Sequence, residues 1–102
     1  MTVKWKETAL DDRNGFLDDA MARAIKQSDP HIHVTAIEDD DRLEAEGNVL
    51  DGVVTYQQGP LPGTRLYICR SGKYAVIYSR VDNHVEILSI APTRSNWKSE
   101  TT

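Results

Sequence analysis

Six side chains in the second half of the chain are of types that can grip or act on an anionic group. Arg65, Arg70, Lys73 and Arg94 are cations, and Tyr74 and Tyr78 are phenols. A guanidinium can hold two anionic oxygens with parallel hydrogen bonds, a geometry an ammonium cannot reproduce. A phenol can donate a proton or stack on a flat ring. Their setting is basic: Thr64 to Lys98 carries six basic and two acidic residues, whereas Glu7 to Asp51 carries thirteen acidic and four basic. Two readings stay open at this point. The basic half meets an anionic partner, or acidic helices and basic strands balance one another within one domain.

The elements that position these residues are legible from Pro60 to Trp97. Three runs of strand-forming residues, Thr64 to Arg70, Lys73 to Val81 and Val85 to Ala91, are joined at Ser71-Gly72 and Asp82-Asn83. Two-residue connections of Gly, Asn and Asp tolerate the positive φ that tight hairpins require, so this stretch predicts a three-stranded antiparallel meander. Gly59-Pro60-Leu61-Pro62-Gly63 is a stiff turn leading into it. The first strand alternates, and its more apolar pair, Leu66 and Ile68, is expected to face the helices, with Arg65, Tyr67 and Cys69 on the other side. The middle and last strands are apolar on both faces, which predicts a second sheet face needing a partner.

Upstream, Val3 and Trp5 alternate in a short first strand over Thr2 to Lys6, and Val53 to Tyr56 suggests another. Thr8 fits a helix N-cap, and Ala9, Phe16, Leu17, Ala20, Met21, Ala24 and Ile25 follow at helical spacing. Ser28-Asp29-Pro30 stops this helix and starts a second, with Asp29 as N-cap and Pro30 at the first helical position. The second helix is expected from His31 to about Val49, ended by Gly47 or Gly52. The fold class is α+β: a small single domain, with an N-terminal strand and two helices packed on a mainly antiparallel sheet. It is expected over residues 1–98, with 99–102 as a tail.

The 102 residues suit one core, and no apolar run approaches a membrane span or a signal-peptide core. The lone Cys69 cannot form an intramolecular disulfide, which fits a reducing cytoplasm, and it is expected to pack as a small apolar side chain. His31 and His33 stand two apart on a helix and do not share a face, so no metal site is read there, and no cofactor is expected.

Several short motifs together resemble RelE/ParE-type toxins, the toxin halves of bacterial type II toxin–antitoxin or plasmid stabilisation modules. Trp5, Ala9, Asp12 and Arg13 resemble the opening of one plasmid-borne branch. Ala36-Ile37-Glu38, Asp40, Arg42 and Leu43 resemble its second helix. Pro62-Gly63-Thr64-Arg65 and Val85-Glu86-Ile87-Leu88 are the most specific pieces, and the resemblance spans nearly the whole chain. It implies a compact cytoplasmic toxin held inactive in a hetero-oligomer with a cognate antitoxin. RelE-like members cleave mRNA on the ribosome; ParE-like members poison DNA gyrase without enzymatic activity. On the nuclease alternative, the residues expected to carry catalysis are Arg65, Arg94 and Tyr74, with Lys73, Tyr78 and Arg70 binding substrate. Two positions depart from the nuclease pattern. Pro92 stands where relatives often carry His, and Ala75 where RNA-cleaving relatives often carry Arg. The expectation is a ribosome-dependent endoribonuclease, with a gyrase inhibitor or a non-toxic, antitoxin-binding relative as alternatives.

Overall fold

The computed structural model describes residues 2–53 and 57–93. Arg94, Trp97, the tail and most of the suggested Val53–Tyr56 strand lie outside them. Strand β1 (Thr2–Trp5) leads into helix α1 (Glu7–Lys26), helix α2 (Pro30–Gly47) and a short 3₁₀ turn (Leu50–Gly52). Strands β2 (Arg65–Ile68), β3 (Tyr74–Val81) and β4 (His84–Pro92) follow. The sheet order is β1-β4-β3-β2, with β1 parallel to β4 and the other pairs antiparallel. The α+β class and the C-terminal meander expected from the sequence are the ones found.

The break between the helices follows its chemistry. Ser28 adopts φ +52° just past the end of α1. Its N–H bonds to Ile25 O at 3.2 Å and the Asp29 N–H to Ala24 O at 2.9 Å. That pair of bonds closes the helix with a left-handed residue, here Ser in place of the usual Gly. Asp29 then caps α2, accepting the His31 N–H at 3.1 Å, and Pro30 occupies the first helical position. The two-residue turn at Asp82-Asn83 also forms, with φ +54° at Asp82 and Val81 paired to His84. The other hairpin is wider. Cys69 N–H bonds to Tyr74 O, so Arg70 to Lys73 form the loop, with Gly72 at φ +74°.

Three expectations are corrected. Thr8 is not the N-cap of α1, because the helix already includes Glu7 and Lys6 precedes it in extended geometry. The Thr8 hydroxyl instead donates to Leu88 O on β4. The faces of β2 are also inverted. Tyr67 and Cys69 join the core under the helices, while Leu66 clusters with Ala75 and Ile77 on the opposite side of the sheet. The tyrosine wins that side because its ring packs while its hydroxyl reaches a carboxylate on α2. Finally, that opposite cluster is not an open apolar surface: Leu66, Ala75 and Ile77 are each at most 6% exposed.

Strand β4 contains the irregularity that sets the core. Ile77 pairs with Ser89 but Tyr78 pairs with Ile87, leaving Leu88 as an extra residue. Such a bulge shifts the two-residue alternation by one. Val85 and Ile87 before it and Ile90 after it therefore all enter the same core, with Leu43, Leu50, Val76 and Tyr78. Burial of side chains this size contributes roughly 1.5–3 kcal/mol each.

Candidate functional site

The five expected site residues within the described part of the chain do not converge; the sixth, Arg94, lies outside it. Arg65 heads the edge strand β2, exposed, opposite Tyr78 in the ladder and bridged to Gln58. It forms one wall of a polar cleft of about 350 Å³ with Gln57, Gln58, Pro62, Gly63 and Thr64. The turn behind it is rigid: the buried Thr64 hydroxyl donates to Leu61 O at 2.5 Å, and the Gly59 N–H bonds to Thr64 O at 3.0 Å. Tyr78 is fully buried in the core.

Lys73 and Tyr74 lie at the other end of β3. Tyr74 is four residues along the strand from the partner of Arg65, which offsets their backbone positions by about 13 Å along the strand. Lys73 Nζ pairs with Asp39 Oδ2 of α2 at 2.8 Å. The Tyr74 ring stacks on Phe16 of α1 with centroids 5.2 Å apart. Burial pushes its phenol above the ordinary value, and the Asp39 charge adds to the shift. Arg70 is exposed, and its backbone N–H is held by Glu46 at 3.0 Å. The same Glu46 oxygen accepts the Tyr67 hydroxyl at 2.7 Å. Burial first, and then this bond, push Tyr67 up to about 12. Burial, reinforced by Glu46, also pushes the Cys69 thiol up to about 12, where it is inert as a nucleophile at neutral pH. Among the described residues no group of three His, Cys, Asp or Glu side chains is placed to hold a metal ion, and no helix is long and apolar enough to cross a membrane.

Two residues of the N-terminal motif, Trp5 and Arg13, meet instead in one polar assembly with α2. Arg13, buried on α1, donates from Nε to Asp40 Oδ1 at 2.9 Å and from Nη2 to Asp40 Oδ2 and Glu44 Oε2 at 3.0 and 2.9 Å. These carboxylates, Asp40 foremost, raise its pKa further, against the desolvation that lowers it. Its guanidinium carbon lies 4.6 Å from the centroid of the Trp5 ring, a cation–π contact. Trp5 Nε1 donates to Asn48 Oδ1 at 2.8 Å. Asp12, one turn from Thr8, accepts the Ile90 N–H at 2.9 Å. In the sequence, Asp12, Arg13 and Asp40 stand out only as matches to a family pattern, and Trp5 also as a residue of the first strand. The available physical signal was Arg13 itself, an arginine within the buried face of α1, opposite a run of carboxylates on α2.

No protein-family model matches the sequence, and no curated protein matches it. Among solved structures, the chain is similar in fold to a chain of the "Chromosomal ParDE TA system from P. aeruginosa". The TM-score is 0.72 with 16% sequence identity, over 92% of this chain and 97% of that one. The chain thus shares the fold of a chain of that system, the α+β architecture expected from the sequence.

Proposed function

We propose that this protein is the toxin of a type II toxin–antitoxin pair, neutralised by a cognate antitoxin, and that it acts in the ParE-like manner on DNA gyrase. The observation that carries this reading is the likeness to a ParDE chain over nearly the full length of both chains. Shared fold alone does not choose a target. The separation of Arg65 from Tyr74, the two described members of the expected catalytic set, weighs against RNA cleavage. Transesterification at a phosphate needs its base, acid and cation around one reacting centre. Here Arg65 and Tyr74 stand at opposite ends of a strand pair, Tyr78 is buried, and Lys73 is engaged by Asp39. Pro92 and Ala75 occupy the two positions where the nuclease pattern carries His and Arg. Arg65, exposed beside a polar cleft, is the residue we assign to target contact rather than to acid–base chemistry.

The test is a pair of assays on the purified chain. Supercoiling by gyrase should be inhibited, with gyrase–DNA cleavage complexes trapped, and mRNA in a translation extract should stay intact. Message truncated only when ribosomes are present would move the protein to the RelE-like class. Induced expression should arrest growth; normal growth at confirmed soluble expression would point to a member that has lost toxicity.

A further inference from the structure

The cleft beside Arg65 has a wall that folds back on itself and holds its shape. The Leu66 N–H bonds to Gln57 O at 3.0 Å, and Gln58 is bridged to Arg65. Thr64 locks the bend from within, since its hydroxyl accepts the Leu61 N–H at 3.2 Å while it donates to Leu61 O. A Cβ at Gly59 would collide with that hydroxyl, so the two arms of the bend touch where only glycine fits. Gly63 completes the turn with φ +78°. The backbone that carries Arg65 is therefore set before any ligand arrives.

Charge decides what such a cleft can take. Arg65 is the one charged side chain among the described residues that line it, and Gln57 and Gln58 add neutral amides. Arg80 is on the same side of the sheet, two residues beyond the Tyr78 that pairs with Arg65. Its Nη2, however, is engaged by Val53 O at 2.6 Å and Leu50 O at 3.4 Å. A nucleic-acid strand carries a phosphate about every 3.4 Å, and grooves that hold it line up several cations. One guanidinium in a neutral cleft, on a chain of net charge −4, suits a single anion set among neutral groups. A carboxylate is planar and accepts two parallel hydrogen bonds from a guanidinium. Side-chain amides can meanwhile pair with the peptide groups on either side of it. We infer that this cleft receives one aspartate or glutamate side chain of the protein target, its carboxylate on Arg65 and its backbone beside Gln57 and Gln58. The inference rests on the reading of Arg65 as the target contact and names what it grips, an acidic peptide segment.

Nuclear magnetic resonance of the isotope-labelled full chain tests this without gyrase. The probe is an acetylated and amidated Gly-Glu-Gly peptide, whose side chain is its only charge. Saturable shifts are expected at the Arg65 Nε–H and at the Gln57 and Gln58 side-chain amides. Binding should weaken at least about tenfold for the blocked Gly-Gln-Gly peptide, for dithymidine monophosphate and for Arg65→Gln, with Arg65→Lys between. Arg65 is exposed, so both variants should keep the wild-type melting temperature. Tighter binding of dithymidine monophosphate than of the glutamyl peptide would overturn the assignment in favour of nucleic acid. Peptide shifts that survive Arg65→Gln, or wild-type shifts that never saturate, would remove the site. In the supercoiling assay Arg65→Gln should raise the inhibitory concentration at least about tenfold, and undiminished inhibition would overturn the part of the cleft in target binding. A wild-type chain that binds the glutamyl peptide at Arg65 yet leaves gyrase active would uphold the cleft and refute the gyrase reading.

Discussion

Asp12 of α1 and Ile90 of β4 are joined by a 2.9 Å bond from the Ile90 N–H to Asp12 Oδ2. Strand β1 ends at Trp5, and its last backbone bond to β4 is from the Lys6 N–H to Ile87 O. Beyond that point the Thr8 and Asp12 side chains take up Leu88 O and the Ile90 N–H. The helix thereby continues, with side chains, the ladder that the strand began.

Asp12→Ala should leave the Ile90 N–H without its acceptor, which costs about 1–3 kcal/mol. Asp12→Asn keeps an acceptor oxygen and should lose less. Urea unfolding of both variants gives the comparison; equal stability of Asp12→Ala and wild type would mean water replaces the carboxylate.

Arg13→Met should be more damaging. It strands Asp40, whose side chain is 18% exposed, and removes the cation over Trp5. Removing one partner of a buried pair costs about 3–5 kcal/mol, and the part-exposed Glu44 places this case near the lower end. Arg13→Lys cannot bind Asp40 through two nitrogens and should fall between. Substituting Asp40→Leu together with Arg13→Met should recover part of the loss, because no orphaned charge remains. Melting temperatures of the three variants decide the order.

Gly47→Ala offers a case in which helix propensity gives the wrong sign. Alanine is better than glycine in a helix interior by about 1 kcal/mol. At Gly47 an added Cβ would meet the Trp5 ring, 2.7 Å from Cη2, and lie 3.1 Å from Ile87 Cδ1. Net destabilisation is expected, with the Trp5 fluorescence band shifted as the ring moves. Gly15→Ala, where an added Cβ meets nothing within 4 Å, should stabilise.

Alkaline pH should weaken the fold. Cys69 and Tyr67 rise from 9.0 and 10.0 to about 12 each in the folded state. The folded chain then holds more protons than the unfolded chain between these values. Their contribution is complete below about pH 9 and is lost as pH climbs toward 12. Urea midpoints at pH 8, 9.5 and 11 should fall in that order, and Tyr67→Phe should blunt the upper part of the decline. A flat profile would show that Glu46 and burial do not hold the phenol neutral.

Local chemistry was legible where a residue type has one outstanding backbone use. Asp29-Pro30 and Asp82-Asn83 marked their turns because few other conformations suit them. The meander followed from its β-branched and aromatic content. What escaped was phase and partnership. One inserted residue at Leu88 reverses every later inside/outside assignment on β4, and no composition signal marks it. Leu66 and Ile68 are the more apolar pair of β2 and on composition belong inside, yet Tyr67 takes the core side because Glu46 on α2 satisfies its hydroxyl. The candidate site failed to assemble for a related reason. Sequence places Arg65 and Tyr74 in neighbouring strands, but antiparallel register decides whether they meet, and here it sends them to opposite ends.

The parallel pairing of β1 with β4 also has a consequence in time. Thr2 lies against His84 and Trp5 against Ile87, so the first strand made finds its neighbour only when the last strand emerges. At about 5–20 residues per second, translation leaves β1 waiting on the order of 4–16 s. During that interval the helical hairpin can form from local contacts, while the four-stranded sheet cannot close. Any property that depends on the closed sheet therefore waits for β4 to emerge, whereas the surfaces of the hairpin alone are available on the nascent chain well before it.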